Sequence, residues 1–133
     1  MRAAVLAELG SLPHIVDLPE VLAGPGSVVD VLAVALSPID VTVGSGRFAL
    51  GHPPLPYVIG HEAVVQADRG LAYVAGSGVG ITSDGLCAER RVVDPSLMIP
   101  LSDGTDAAIA ASLGTSGVAG WTSVVKRAAV RPG

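Results

Sequence analysis

Ser27-Val28-Val29-Asp30-Val31-Leu32-Ala33-Val34-Ala35-Leu36-Ser37-Pro38-Ile39-Asp40 is the stretch on which the fold turns. Ser27–Leu36 is rich in β-branched valine and follows the turn residues Gly24-Pro25-Gly26, so it reads as a strand. Ser37-Pro38-Ile39-Asp40 then opens a short segment, about one helical turn, because proline is tolerated at the first position of a helix. A long strand delivering the chain into a short helix implies a β-rich body.

Working outward, Arg2–Glu8 reads as a first strand closed by Gly10-Ser11-Leu12-Pro13. Gly44–Pro56 is a Gly/Pro-rich loop that carries Phe48, the single phenylalanine. Tyr57–Gln66, Leu71–Ala75 and Leu86–Val93 read as further strands, with a Gly/Ser surface loop over Gly76–Gly85. After Asp94-Pro95 the character changes. Asp103–Leu113 is alanine-rich with acidic residues at its front, and Ala119–Val130 has apolar residues at helical spacing before the stop Arg131-Pro132-Gly133. Many short strands followed by two helices is the expected plan.

Composition agrees. The chain has 133 residues, enough for one domain, and 50% of them are apolar while only 3% are aromatic. The core must therefore be made of Val, Ala, Leu and Ile. The 17 glycines and 10 prolines lie between apolar runs without a period, as turn punctuation does. Net charge is −4, and beyond Arg90-Arg91 and Lys126-Arg127 there is no basic cluster, which argues against a nucleic-acid partner. A single cysteine excludes a disulfide framework and a multi-cysteine zinc site. The longest apolar runs are short and Val28–Leu36 carries Asp30, so a membrane span is not expected, nor is a signal peptide after Met1-Arg2. The expected setting is cytoplasmic.

Two motifs mislead. Gly76-Ser77-Gly78-Val79-Gly80 is followed by Ile81 and Thr82-Ser83-Asp84-Gly85, so it neither completes Gly-x-Gly-x-x-Gly nor opens a helix. His61-Glu62 has Val65 where a zincin helix needs its second histidine. Gly114-Thr115-Ser116-Gly117 precedes a helix and reads as a close-packing turn before it reads as an anion site.

Three segments together resemble the medium-chain dehydrogenase/reductase superfamily. They are Ser37-Pro38-Ile39-Asp40 with Gly44-Ser45-Gly46-Arg47-Phe48; Pro54-Leu55-Pro56-Tyr57-Val58-Ile59-Gly60-His61-Glu62; and Ala110-Ala111-Ser112-Leu113-Gly114-Thr115 running on to Trp121 and Arg131-Pro132-Gly133. Met1-Arg2-Ala3-Ala4-Val5 suits that family's opening strand, and the resemblance covers essentially the whole chain in order. It implies a GroES-like, partly open β-barrel with C-terminal helices, the barrel over about 1–113 and the start of a connection to a cofactor domain over 114–133. The Rossmann domain itself is absent from this chain.

Within the superfamily, the catalytic-zinc positions of alcohol dehydrogenases correspond here to Ser37, His61 and Thr115. Only the histidine is a good zinc ligand, and the structural zinc lobe would need four cysteines where there is only Cys87, which reads as a small core residue. The pattern is similar to the zinc-free quinone oxidoreductase branch, whose members typically show Asn-Pro-x-Asp/Glu. Ser37 replaces that asparagine, and Ala63-Val64-Val65-Gln66 lacks the later glycine usual after Gly-His-Glu.

The resemblance implies the substrate-side domain of an NADPH-dependent reductase of quinones or enones. Such acceptors spread the incoming charge into a delocalised enolate, for which hydrogen-bond donors suffice in place of a Lewis-acid metal. Ser37, Tyr57 and His61 are the candidate catalytic residues, Asp40 and Phe48 the candidate substrate contacts, and Thr115 the candidate cofactor contact. Each has a plainer reading: His61 as a satisfied structural histidine, Asp40 as a helix-front or salt-bridge carboxylate, Tyr57 and Phe48 as packing under the proline-rich loop. The expected partners are a small quinone or enone, a cofactor domain and, if the protein self-associates, a second copy in a homodimer. The chain alone is expected to bind neither zinc nor NADPH. A GroES-like binding or assembly module without chemistry is the alternative; apolar surface left on the last helices, around Ala119, Val124 and Val125, would favour the reductase domain instead.

Overall fold

The computed structural model describes residues 1–22, 24–76 and 78–131. Ser77 of the glycine-rich motif and Pro132-Gly133 of the expected helix stop lie outside the described residues.

Two antiparallel sheets make the body. One has the order β2-β1-β4, from β1 (Arg2–Leu6), β2 (His14–Asp17) and β4 (Tyr57–Val58). The other has the order β7-β3-β5-β6-β8, from β3 (Ser27–Ala35), β5 (Glu62–Ala67), β6 (Gly70–Ala75), β7 (Arg90–Val93) and β8 (Met98–Pro100). Leu86–Glu89 stitches the sheets together. Ala4 N–H donates to the Cys87 carbonyl at 2.8 Å, Glu89 N–H to Arg2 at 3.0 Å, and Val31 N–H to Glu89 at 3.0 Å. The result is a barrel closed on one side and open on the other, the GroES-like architecture the sequence led us to expect.

Val29, Ala63, Val65, Ala72, Val74, Leu86 and Val93 form the main core, an aliphatic interior free of aromatic rings. β5 is buried on both faces, Ala63 and Val65 toward this core and Glu62 and Val64 toward the opposite side, because side chains alternate along a strand. On that second side lies α2 (Ala107–Leu113), which packs over β3 and β5 and buries Ala111.

Several elements differ from the sequence expectation. Tyr57–Gln66 is two strands in different sheets, broken at Gly60, whose φ is +96° and whose added Cβ would sit 2.8 Å from Val34 Cγ1. Leu86–Val93 is regular strand only from Arg90, since its first half bridges to β1 instead of continuing in one ladder. His14–Asp17 and Met98–Pro100 are strands too short to announce themselves. The loop after β6 is not wholly at the surface: Gly80 and Gly85 are buried against the backbone of Ile59 and Gly60.

At the C-terminus, α2 starts at Ala107 because Asp106 caps it, its carboxylate accepting from Ile109 N–H at 2.9 Å. The last helix begins at Thr115, four residues before Ala119. It is α3 (Thr115–Trp121), continued by a π-helical stretch Thr122–Arg127. No single helix among the described residues is long and apolar enough to cross a membrane; the C-terminal pair reaches the necessary length only across a 55° bend.

Candidate functional site

α1 (Pro38–Gly44) leaves the end of β3 with Ser37 as its N-cap and proline at its first turn. Asp40, in that first turn, reaches back to accept from Ser37 N–H at 2.8 Å. The same carboxylate accepts from His61 N–H at 3.1 Å and bonds His61 Nδ1 at 3.0 Å. Helix start and strand approach are thus joined through one carboxylate, and both side chains are only 8% exposed.

On the other side of the imidazole, Nε2 lies 3.5 Å from Glu62 Oε1 and has no hydrogen-bond partner of its own among the described residues. Glu62 is 1% exposed. Its Oε2 accepts from the Tyr73 hydroxyl and from Thr115 N–H, the latter at 2.8 Å. Tyr73 reaches it as a diagonal cross-strand neighbour, because Glu62 pairs with Ala75 and Val64 with Tyr73. Two hydrogen-bonded groups, Ser37–Asp40–His61 and Glu62–Tyr73–Thr115, therefore meet where His61 Nε2 approaches Glu62 Oε1.

The charges along it are mutually supporting. Burial opposes ionisation of Asp40, but hydrogen bonds from His61 and Ser37 outweigh it and hold the carboxyl below its usual range. His61 is raised above the ordinary imidazole value by its bond to Asp40, against the effect of burial and with help from the negative charges of Asp40 and Glu62. Burial likewise opposes the Glu62 charge, and the bonds from Tyr73 and Thr115 prevail to lower it. The Tyr73 hydroxyl is pushed up to about 12 by burial and by donating to a carboxylate, so it stays protonated.

Ser37, Asp40, His61 and Thr115 are accordingly brought into one network, Thr115 through its backbone N–H. Tyr57 and Phe48 are not. Tyr57 is 3% exposed and packs with Leu6 and Val43, and Phe48 lies half-buried against that cluster. Burial, with the Asp40 charge second, raises the Tyr57 hydroxyl, and no hydrogen bond joins it to Asp40 or His61 among the described residues. A mainly apolar groove of about 320 Å³ borders the network, lined by Leu6, Leu12, Leu36, Val41 and Ile59 with Asp40. Tyr73 was not legible as a network residue. Glu62 could have been, since a glutamate opening the apolar run Ala63-Val64-Val65 has to be buried and bonded.

No family model matches the chain, and no curated protein matches it. Solved structures do. The quinone oxidoreductase of Thermus thermophilus, determined alone and with NADPH, is 32% identical over 100% of this chain and 43% of its own, with a TM-score of 0.78. Over its whole length the chain is similar to quinone oxidoreductases and alcohol dehydrogenase-like members of the medium-chain dehydrogenase/reductase superfamily. The yhdH oxidoreductase of Salmonella enterica, in complex with NADP, is 24% identical over 99% of this chain and 45% of its own, TM-score 0.79. An NAD-dependent alcohol dehydrogenase is 23% identical over 100% and 49%, TM-score 0.80; these two likenesses bear on the fold alone. The chain spans less than half the length of each.

Ser37 and Thr115 offer neutral oxygens at the two outer positions, which are poor zinc ligands. His61 keeps Nε2 without a hydrogen-bond partner beside Glu62, but the described residues contain no group of three or more His, Cys, Asp or Glu arranged to hold a metal. The residues do not fit zinc. The glycine-rich loop after β6 does not fit a dinucleotide phosphate site either: its described residues form turns and an isolated bridge and open no helix to receive a pyrophosphate.

Proposed function

We propose that this chain is the substrate-side domain of an NADPH-dependent reductase of quinones or enones, acting in the cytoplasm without a catalytic zinc and completed by a nicotinamide-binding domain. The observation that carries it is the 32% identity, along the entire chain, with a quinone oxidoreductase solved with NADPH. The residue types support the metal-free part: His61 is the one good zinc ligand of the three positions, and the Ser37 and Thr115 hydroxyls are donors of the kind an acceptor with delocalised charge needs.

In this reading the apolar groove beside α1 receives the flat acceptor. Asp40 and His61 hold the groove wall in place, and the Ser37 and Thr115 hydroxyls supply hydrogen bonds near the transferred hydride. Burial of Tyr57 and Phe48 gives them the task of supporting α1 from beneath. Exposed apolar residues on the last helices, Val118, Trp121, Val124 and Val125, favour this reading over a free-standing module, because a partner domain would cover them.

Substrate class is the test. A protein joining these residues to a nicotinamide-binding domain is expected to oxidise NADPH with a quinone or enone. It should turn over simple alcohols with NADP at least about a hundredfold more slowly, a difference of roughly 3 kcal/mol in the barrier. Alcohol oxidation at a comparable rate would sink the assignment.

A further inference from the structure

α3 and the π-helical stretch that continues it contain no buried residue, yet α3 leaves α2 at a defined bend of 55°. Apolar packing does not set that angle. Two features at the bend do. Gly114 lies between the helices with φ −49° and ψ −112°, and a Cβ there would collide with both the Tyr73 hydroxyl and the Glu62 carboxylate. The next residue, Thr115, donates its N–H to Glu62 Oε2 at 2.8 Å, the same oxygen that accepts from Tyr73.

We infer that Glu62 and Tyr73 form a clamp that positions α3. The carboxylate holds the first N–H of α3 against the barrel, Tyr73 fixes the carboxylate, and Gly114 gives both of them access to the backbone. Because Glu62 Oε1 also lies 3.5 Å from His61 Nε2, the clamp ties the direction of α3 to the imidazole of the site. Glu62 and Tyr73 are thus positioning residues: they touch neither acceptor nor cofactor, but they decide where Thr115 and the exposed apolar face of the last helix stand relative to Asp40 and His61. A carboxylate is suited to this, since one oxygen accepts two donors while the other faces a ring nitrogen.

The bearing of the clamp on hydride transfer rests on the function proposed above. Amide exchange in the 133-residue chain involves neither acceptor nor cofactor, and reports on the clamp alone. Glu62→Met and Glu62→Gln have similar volume, but only the glutamine keeps an acceptor oxygen. Exchange at the Thr115 amide should rise at least about tenfold in Glu62→Met relative to Glu62→Gln, as loss of a bond to a buried acceptor requires. The β5–β6 amides should stay protected in both. Trp121, the sole tryptophan and a residue of α3, should gain a fast local component in its fluorescence anisotropy decay only in the methionine variant. Should Glu62→Met fail to fold, Tyr73→Phe removes one donor and keeps the ring, and should raise Thr115 exchange in the same direction by a smaller factor. Equal exchange in the methionine and glutamine variants, or an unchanged rate in Tyr73→Phe, would overturn the clamp and leave Glu62 a mere space-filler.

Discussion

Asp40 carries more of the site than any other single residue. It satisfies the first turn of α1, fixes the His61 backbone and orients the ring, all from a side chain that is 8% exposed. Asp40→Asn keeps the shape but loses the charge, and its amide can point only one oxygen at three donors. We expect a loss of about 1–3 kcal/mol of stability. The wild-type pH profile follows from the directions of the shifts. His61 is raised in the folded state, so its contribution is complete below about pH 6.5 and is lost as pH rises through the folded value. Asp40 and Glu62 are lowered, so theirs is complete above about pH 4.5 and is lost as pH falls through their folded values. Stability should therefore peak between roughly pH 4.5 and 6.5. Denaturant melts across pH should show Asp40→Asn flattening the alkaline limb; an unaltered profile would mean that Asp40 and His61 are not coupled.

Among the elements, the long strand β3 and the helix it feeds were readable directly, because a valine-rich run and Ser-Pro-x-Asp are strong local signals. The break between β4 and β5 was not. Nothing local separates Tyr57-Val58 from Glu62–Ala67 except Gly60, and its role depends on distant partners: Gly80 and Gly85 pack onto its carbonyl, and Val34 onto its Cα. β2 and β8 were missed for a related reason, since strands of four and three residues are recognised only by the neighbours they pair with. Gly85 tests this packing. Its added Cβ would meet the backbone of Ile59 and Gly60, which cannot swing aside as a side chain can. Gly85→Ala should cost about 2–3 kcal/mol by thermal or denaturant unfolding, the upper range for overpacking. A change below about 0.5 kcal/mol, the range of ordinary surface substitutions, would show the loop to be looser than its geometry.

Taken whole, the molecule divides into a barrel with a buried apolar core and a C-terminal end, from Leu113 on, whose apolar residues stay exposed. The main core of the barrel is aliphatic, and its polar network runs from Ser37 to Thr115, hydrogen-bonded at every step but the 3.5 Å approach of His61 Nε2 to Glu62. The last helices expose Leu113, Val118, Trp121, Val124 and Val125, with Lys126 stacked 5.5 Å over the Trp121 ring. The candidate residues legible in sequence were those set by motif: Ser37, Asp40, His61 and Thr115 converge on one network. For Phe48 and Tyr57 the plainer reading, packing under the proline-rich loop, is the one the structure favours: Tyr57 is buried and Phe48 half-buried against it. The claim on which the functional reading stands is that this network serves reduction without a metal. Its most direct measurement is NADPH consumption with a quinone, by a protein joining these residues to a nicotinamide-binding domain, before and after exhaustive dialysis against EDTA. The account predicts the same rate in both, and no gain on adding zinc; a rate that falls at least about tenfold with chelation and returns with zinc would contradict it.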